Sequence, residues 1–295
     1  MKNIIITGAN GSLGLWISKY LHDKGYHIIM ACRNIQKAAQ DIEMFKHLPK
    51  NANYTLKSLD LSDFESIRHF VNDLETTEIY GLVCNAGMSY SGEIRYSKQG
   101  IEEMFCSNYL GHFLLTNLLI AKMKIERLLF ISSALHDPAI KSPFASAVFK
   151  SVKEMAYPDT KNLTDKSFQE FYATAKLCEI MFAYELDRRL NARQKRHYIN
   201  VFNPGLMALT NFGRNRNSFS EKMGRYLLHF IGRLFGFGTS ARVSGRYAAQ
   251  HLTETKESRK YFDKEKFISS SKDSYDIQNA KLLWDESNEI LKDYR

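Results

Sequence analysis

Tyr172 and Lys176 stand four residues apart in the stretch Phe171-Tyr172-Ala173-Thr174-Ala175-Lys176-Leu177. From residue 168 to 190, Phe168, Phe171, Tyr172, Ala175, Leu177, Ile180, Met181, Tyr184 and Leu186 recur at threes and fours, which predicts a helix. Residues four apart on a helix share a face, so a phenol and an ammonium are held side by side. A free tyrosine titrates near ~10 and is a poor acid or base at neutral pH. A neighbouring cation favours the phenolate and is expected to lower that value. Such a pair can give a proton to a carbonyl or take one from an alcohol. The same spacing also arises on any amphipathic helix with one exposed lysine, so the surrounding elements decide between the two readings.

Those elements alternate. Asn3 to Thr7 is a short apolar run of the kind buried on both faces of a parallel sheet. Thr7-Gly8-Ala9-Asn10-Gly11-Ser12-Leu13-Gly14 follows, and a helical stripe of Leu13, Trp16, Ile17, Tyr20 and Leu21 begins inside it. Strand, glycine turn and helix in that order make a phosphate cradle, because glycine lets the backbone approach and the helix start offers N–H groups. His27 to Cys32 reads as a second strand, and Arg33 comes directly after it. An acid near this point would suit the ribose 2′-OH of NAD; an arginine suits the 2′-phosphate of NADP. A helix is expected over 36–46, a strand over 54–59 closed by Asp60-Leu61, and a capping box at Ser62 to Glu65. Further strands are expected over 79–84, 128–131 and 198–202. They end in Asn85-Ala86-Gly87, in Ser132-Ser133 and in Asn203-Pro204-Gly205. A helical segment over 100–123 carries Asn108 among apolar neighbours. Small or polar residues at every strand end, with strands and helices alternating, predict an α/β doubly wound, mostly parallel sheet in a single domain over 1–295.

Composition agrees with a folded protein: of 295 residues, 44% are hydrophobic and 25% charged. The net charge of +9 suits a pocket that receives phosphates, and no basic run of the nucleic-acid type is present. Cys32, Cys84, Cys106 and Cys178 lack metal or redox spacing and read as buried thiols of a cytoplasmic protein. The nine histidines form no ligand set, so no metal is expected. The start of the chain, two residues before a strand, leaves no room for a leader, and the apolar run 109–123 reads as too short for a membrane span.

Taken together, these residues resemble the short-chain dehydrogenase/reductase family along nearly the whole chain. The markers are Thr7-Gly8 to Gly14, Asp60-Leu61, Asn85-Ala86-Gly87, Asn108, Ser133, Tyr172 with Lys176, and Pro204-Gly205. Met30 to Arg33, Asn108 to Leu115 and Leu283 to Ser287 are similar to the branch holding retinol dehydrogenases and light-dependent protochlorophyllide reductase. The resemblance implies hydride transfer between NADP(H) and a carbonyl or alcohol. It makes Tyr172 the acid-base group, and Lys176 its activator and the holder of the nicotinamide ribose. It makes Ser133 a donor to the reacting oxygen and Asn108 the support of a water link to Lys176. Reduction of a conjugated double bond, or cofactor binding without turnover, remain alternatives. His112 and Cys178 read as packing residues.

Two departures stand out. Ser12 occupies a position where the family places glycine, with Gly11 one position early, a spacing that also fits the extended, epimerase-like branch. Ser133 and Tyr172 lie 39 positions apart, and the surplus over 135–164 implies an insertion near the site. A continuous apolar stripe over 221–237 (Met223, Tyr226, Leu227, Phe230, Ile231, Leu234), within a segment at 206–238, predicts a substrate lid. Its basic flank suits peripheral contact with an anionic membrane, and the implied substrate is a hydrophobic small molecule. A homo-oligomer is left open.

Overall fold

The computed structural model describes residues 1–49, 52–140, 143–192, 197–207 and 238–295. The apolar stripe of the expected lid lies outside them. Among the described residues one sheet of eight strands runs in the order β3-β2-β1-β4-β5-β6-β7-β8. The strands are β1 (Asn3–Thr7), β2 (His27–Cys32), β3 (Tyr54–Ser58), β4 (Glu78–Cys84), β5 (Lys124–Ile131), β6 (Tyr198–Asn203), β7 (Tyr261–Asp263) and β8 (Lys266–Ile268). All pair in parallel except β8, which turns back against β7. Chain order reverses between β1 and β4, and that crevice is where a doubly wound sheet binds its ligand.

The two faces of the sheet are covered separately because neighbouring strand residues point to opposite sides. Ile4 and Ile6 face a cluster with Leu13, Ile17 and Leu21 of α1 (Ser12–Asp23) and Ala248 and Leu252 of α8 (Ala241–Glu254). Ile5, Leu82, Leu128 and Phe130 face the other cluster, built on α3 (Phe64–Asn72), α5 (Gly111–Lys122), α7 (Asp165–Ala192) and α9 (Ile277–Ile290). Phe182 of α7 is its aromatic centre. Phe113, Phe130, Trp284 and Tyr109 surround it at centroid distances of 4.8, 5.5, 5.8 and 6.3 Å.

Several boundaries differ from expectation. The helix expected over 36–46 is α2 (Ile35–Met44), capped by Asn34, whose side chain accepts from the Lys37 N–H. The cap of α3 is Asp63, which accepts from Glu65 and Ser66 N–H groups, while Ser62 instead donates to Asp60. The expected box fails because the cap falls one residue later than Ser62, which leaves Glu65 at the second helical position instead of the third. The segment expected over 100–123 is α4 (Glu103–Phe105), a π-turn (Cys106–Leu110) and α5, a run of 20 residues. By length and hydropathy this run could cross a bilayer, but 72% of its apolar window is buried within the protein. The insertion over 135–164 includes α6 (Val152–Ala156) and lies along α7. There the Thr174 hydroxyl accepts from the Val148 N–H and the Gln169 side chain from the Ala145 N–H. Val152 and Ala156 are fully buried in the core.

Candidate active site

The glycine turn joins β1 to α1. Gly8 has φ +60°, a left-handed conformation that side chains disfavour, and a Cβ there would meet Ala86 Cα at 2.9 Å. A Cβ on Gly14 would lie 2.5 Å from the Gly8 carbonyl oxygen and 2.7 Å from Ala9 Cα. Gly11 is less constrained: it is the N-cap of α1 with φ −71°. Ser12 therefore opens the helix, and the shifted glycine costs the turn nothing. No side chain caps α1, so its first N–H groups remain available to an anion. This cradle fits a dinucleotide pyrophosphate: small where the backbone must approach, buried at Leu13, and rich in unclaimed N–H groups.

Asn85 closes the crevice. Its side-chain amide donates to the Thr7 and Gly8 carbonyls at 2.8 and 3.2 Å, and the Asn85 and Ala86 N–H groups both donate to Thr7 Oγ1 at 2.9 Å. Gly87 is exposed just beyond. At the end of β2, Arg33 is exposed, and Asn10 donates to Asp41 of α2 at 2.7 Å, with Lys37 on the other carboxylate oxygen. Asp60 accepts from the Ser62 N–H, and Leu61 is buried, its carbonyl against Gly111. Pro204 is buried and Gly205 turns with φ +79° beyond β6.

Tyr172, Lys176 and Ser133 come together in space, in a setting the spacing did not foretell. Tyr172 is half-buried and hydrogen-bonds to the Ser133 side chain. Lys176 Nζ lies 5.9 Å from the Tyr172 ring centroid. Burial holds the Tyr172 phenol above its ordinary value. Lys176 and the Ser133 hydrogen bond pull it down, and Glu179 pushes it up. The expected net lowering is therefore not found: burial outweighs the lysine, and Glu179 adds to burial. Lys176 Nζ donates to the Ile131 carbonyl at 2.8 Å and to Glu179 Oε2 at 2.7 Å. Burial opposes the charge on Lys176, but Glu179 and Tyr172 more than offset this and raise its pKa.

Asn108 sits in the π-turn with its side chain committed to Met88, accepting from the N–H at 2.8 Å and donating to the carbonyl at 2.9 Å. Its main-chain carbonyl accepts from His112 Nδ1 at 3.1 Å. His112 is fully buried, and within that packed setting its Nε2 meets Thr7 Oγ1 at 3.0 Å. Sequence reasoning missed Glu179, which reads as the far end of a surface Lys–Glu pair three apart. It also missed His136. That ring donates to the Ser133 carbonyl at 2.7 Å and accepts from the Ser271 N–H at 3.0 Å, bracing the Ser133 loop. Cys178 is buried in the core with its thiol pushed up by burial, as a packing residue requires.

A doubly wound sheet, a glycine cradle at its switch point and a Ser–Tyr–Lys cluster across the crevice define a nucleotide-dependent oxidoreductase, and the chain belongs to the short-chain dehydrogenase/reductase family. The profile of that family, short chain dehydrogenase, matches residues 2–138. The chain is similar to Retinol dehydrogenase 13 of Mus musculus, 30% identical over 98% of this chain and 84% of that protein. It is also similar to Short-chain dehydrogenase TIC 32 A, chloroplastic, of Brassica napus, 27% identical over 98% of this chain and 88% of that one. Among solved structures, an uncharacterized protein from Mycobacterium Paratuberculosis shares the fold with a TM-score of 0.75 at 21% identity. That match covers 99% of this chain and 94% of the other. The Pseudomonas aeruginosa RhlG/NADP active-site complex shares it with a TM-score of 0.62 at 14% identity, over 89% and 94%. Members of this family bind a nicotinamide cofactor and act on small molecules.

Proposed function

We propose that the protein is an NADP(H)-dependent oxidoreductase that reduces a carbonyl, or oxidises the matching alcohol, on a hydrophobic small molecule, with Tyr172 as the acid-base group. The observation that carries this reading is the Tyr172–Ser133 hydrogen bond with the Lys176 ammonium beside it. Bound in the cradle, the cofactor supplies or accepts the hydride. Tyr172 gives a proton to the carbonyl oxygen in reduction and takes one from the alcohol in oxidation. Ser133 Oγ donates to that oxygen as negative charge builds on it. Lys176 favours the phenolate, and by the family resemblance the same ammonium would hold the nicotinamide ribose. Asn108 ties the π-turn to Met88 through its side chain, and the water link to Lys176 implied for it is the role it would serve here. Thr7, Gly8, Asn10, Gly11, Ser12, Leu13 and Gly14 would hold the pyrophosphate, Asp60 and Leu61 the adenine end, and Asn85, Ala86, Gly87, Pro204 and Gly205 the nicotinamide end.

Arg33, exposed at the end of β2, supports a 2′-phosphate and hence NADP over NAD. Asp41, the nearest acid to the turn, is already matched by Asn10 and Lys37, which weakens its claim on a ribose hydroxyl. The continuity of the sheet from Asn3 to Ile268 supports a single working domain. Four buried, reduced thiols are compatible with a cytoplasmic enzyme. The test is consumption of NADPH absorbance with a panel of aldehydes, ketones and quinones, in the native protein and in Tyr172→Phe. Turnover lost by ~10²-fold or more with NADPH binding kept is the expected result. Cofactor binding without turnover across the panel would favour a silent regulatory protein, and a saturated product would favour alkene reduction.

A further inference from the structure

Beneath Tyr172 and Lys176 lies a second layer of charge. Glu179 is fully buried, one turn along α7 from Lys176 and packed against α5 and β4. Its Oε2 accepts the Lys176 ammonium at 2.7 Å. Its Oε1 accepts no hydrogen bond among the described residues and faces His112 Nδ1 at 3.4 Å. A carboxylate without water is retained only where charge and hydrogen bonds answer it. Here the answer comes from the lysine on one side and the imidazole on the other.

The imidazole is held at both nitrogens: Nδ1–H donates to the Asn108 carbonyl at 3.1 Å, and Nε2 meets the Thr7 hydroxyl at 3.0 Å. The remaining titratable groups around the carboxylate are Tyr172 and Cys178 on α7 and Cys84 on β4. Both thiols are held well above their ordinary value by burial, so they stay neutral. The charges in play are therefore those of Lys176 and Glu179.

We propose that Glu179 is a positioning residue of the catalytic centre: its carboxylate, clamped between Lys176 and His112, fixes the ammonium beneath Tyr172 and opposes the ammonium's field at the phenol. The assignment rests on the reading of Tyr172 as the acid-base group. Its consequence is a phenol that keeps its proton to higher pH than the lysine alone would allow, which suits an enzyme whose Tyr172 serves as an acid. It also links the Thr7 end of the cofactor cradle to the acid-base pair through four side chains, Thr7, His112, Glu179 and Lys176.

The experiment titrates Tyr172 directly. Full-length protein is labelled with ¹³Cζ-tyrosine, and the Tyr172 signal is assigned by its loss in Tyr172→Phe. In Glu179→Gln, which keeps shape and removes charge, the midpoint of Tyr172 ionisation should fall by about one pH unit, or about tenfold in proton affinity. The pH–rate profile for reduction should lose activity about one unit earlier. Glu179→Asp, which keeps the charge, should restore most of the native midpoint, and it gives the same discrimination if Glu179→Gln does not fold. A Tyr172 midpoint unchanged in Glu179→Gln, or one displaced equally in Glu179→Asp, would overturn the proposal and leave Glu179 a structural ion-pair partner. Failure of the underlying reading looks different: Tyr172→Phe would then keep its rate, whatever the titration shows.

Discussion

Replacing Gly14 by alanine sets two opposing effects against each other. Alanine in a helix is favoured over glycine by about 1 kcal/mol. The new methyl, however, would lie 2.5 Å from the Gly8 carbonyl oxygen, 2.7 Å from Ala9 Cα and 2.9 Å from the Ala9 carbonyl carbon. Carbon atoms rest at about 3.5–4.0 Å, so α1 must withdraw from the turn by about 1 Å. All three obstacles are backbone, and no rotamer relieves them. Overpacking of this kind costs about 1–3 kcal/mol, and the rigid turn puts Gly14 at the upper end. The net is a loss of about 2 kcal/mol, or a fall in melting temperature of about 3 °C for a chain of this size. The helix start moves with it, so NADPH affinity measured by fluorescence should fall at least tenfold. Gly11→Ala is the control, since its φ is −71° and its nearest neighbour sits 3.2 Å away; it should bind within a few fold of native. A Gly14→Ala protein with native melting temperature and native affinity would refute the close-packed cradle.

Arg33→Ala should weaken NADPH binding by about ten- to a hundredfold while leaving NADH nearly unchanged, because a charge-assisted contact is worth about 1.5–3 kcal/mol; equal native affinities for the two cofactors would refute the assignment. Phe182→Ala should cost about 3–5 kcal/mol in denaturant unfolding, since four rings lose their common neighbour. Burial depresses the pKa of His136, so the unfolded chain takes up a proton there before the folded one does. Stability is therefore full above the ordinary histidine value and lost as pH falls through it. Thermal unfolding between pH 7.5 and 5 should show that slope, reduced in His136→Gln.

The first six strands were legible because each carries an apolar run and ends in small or polar residues. Strands β7 and β8 were not: each is three residues long, and all of β8 is exposed, so neither periodicity nor hydropathy marks them. Their hairpin turns at Lys264, φ +55°, where glycine or asparagine would have given a signal. Tyr172, Lys176 and Ser133 were readable from spacing, and the structure brings them together. Glu179 was not, because an i, i+3 Lys–Glu pair looks the same on paper whether solvated or buried. A signal did exist for His112. Helix α5 is apolar on all sides, as a buried helix must be, and a histidine inside it needs a polar partner. The lowered Tyr172 pKa was expected from one neighbour; burial and a second, unseen charge reversed the sign.

The π-turn at Cys106–Leu110 carries one residue more than an α-helical turn would. That extra residue sets the phase of everything beyond it, since each helical residue advances the face by about 100°. Deleting any single codon between 106 and 110 would let the helix regularise. Gly111, which alone fits against the Leu61 carbonyl, would be swung off it, and His112 off Thr7 and Glu179. Descendants of this gene can therefore exchange residue types along this stretch far more readily than they can change its length, and a one-residue gap there would mark a lineage whose active centre had been rebuilt.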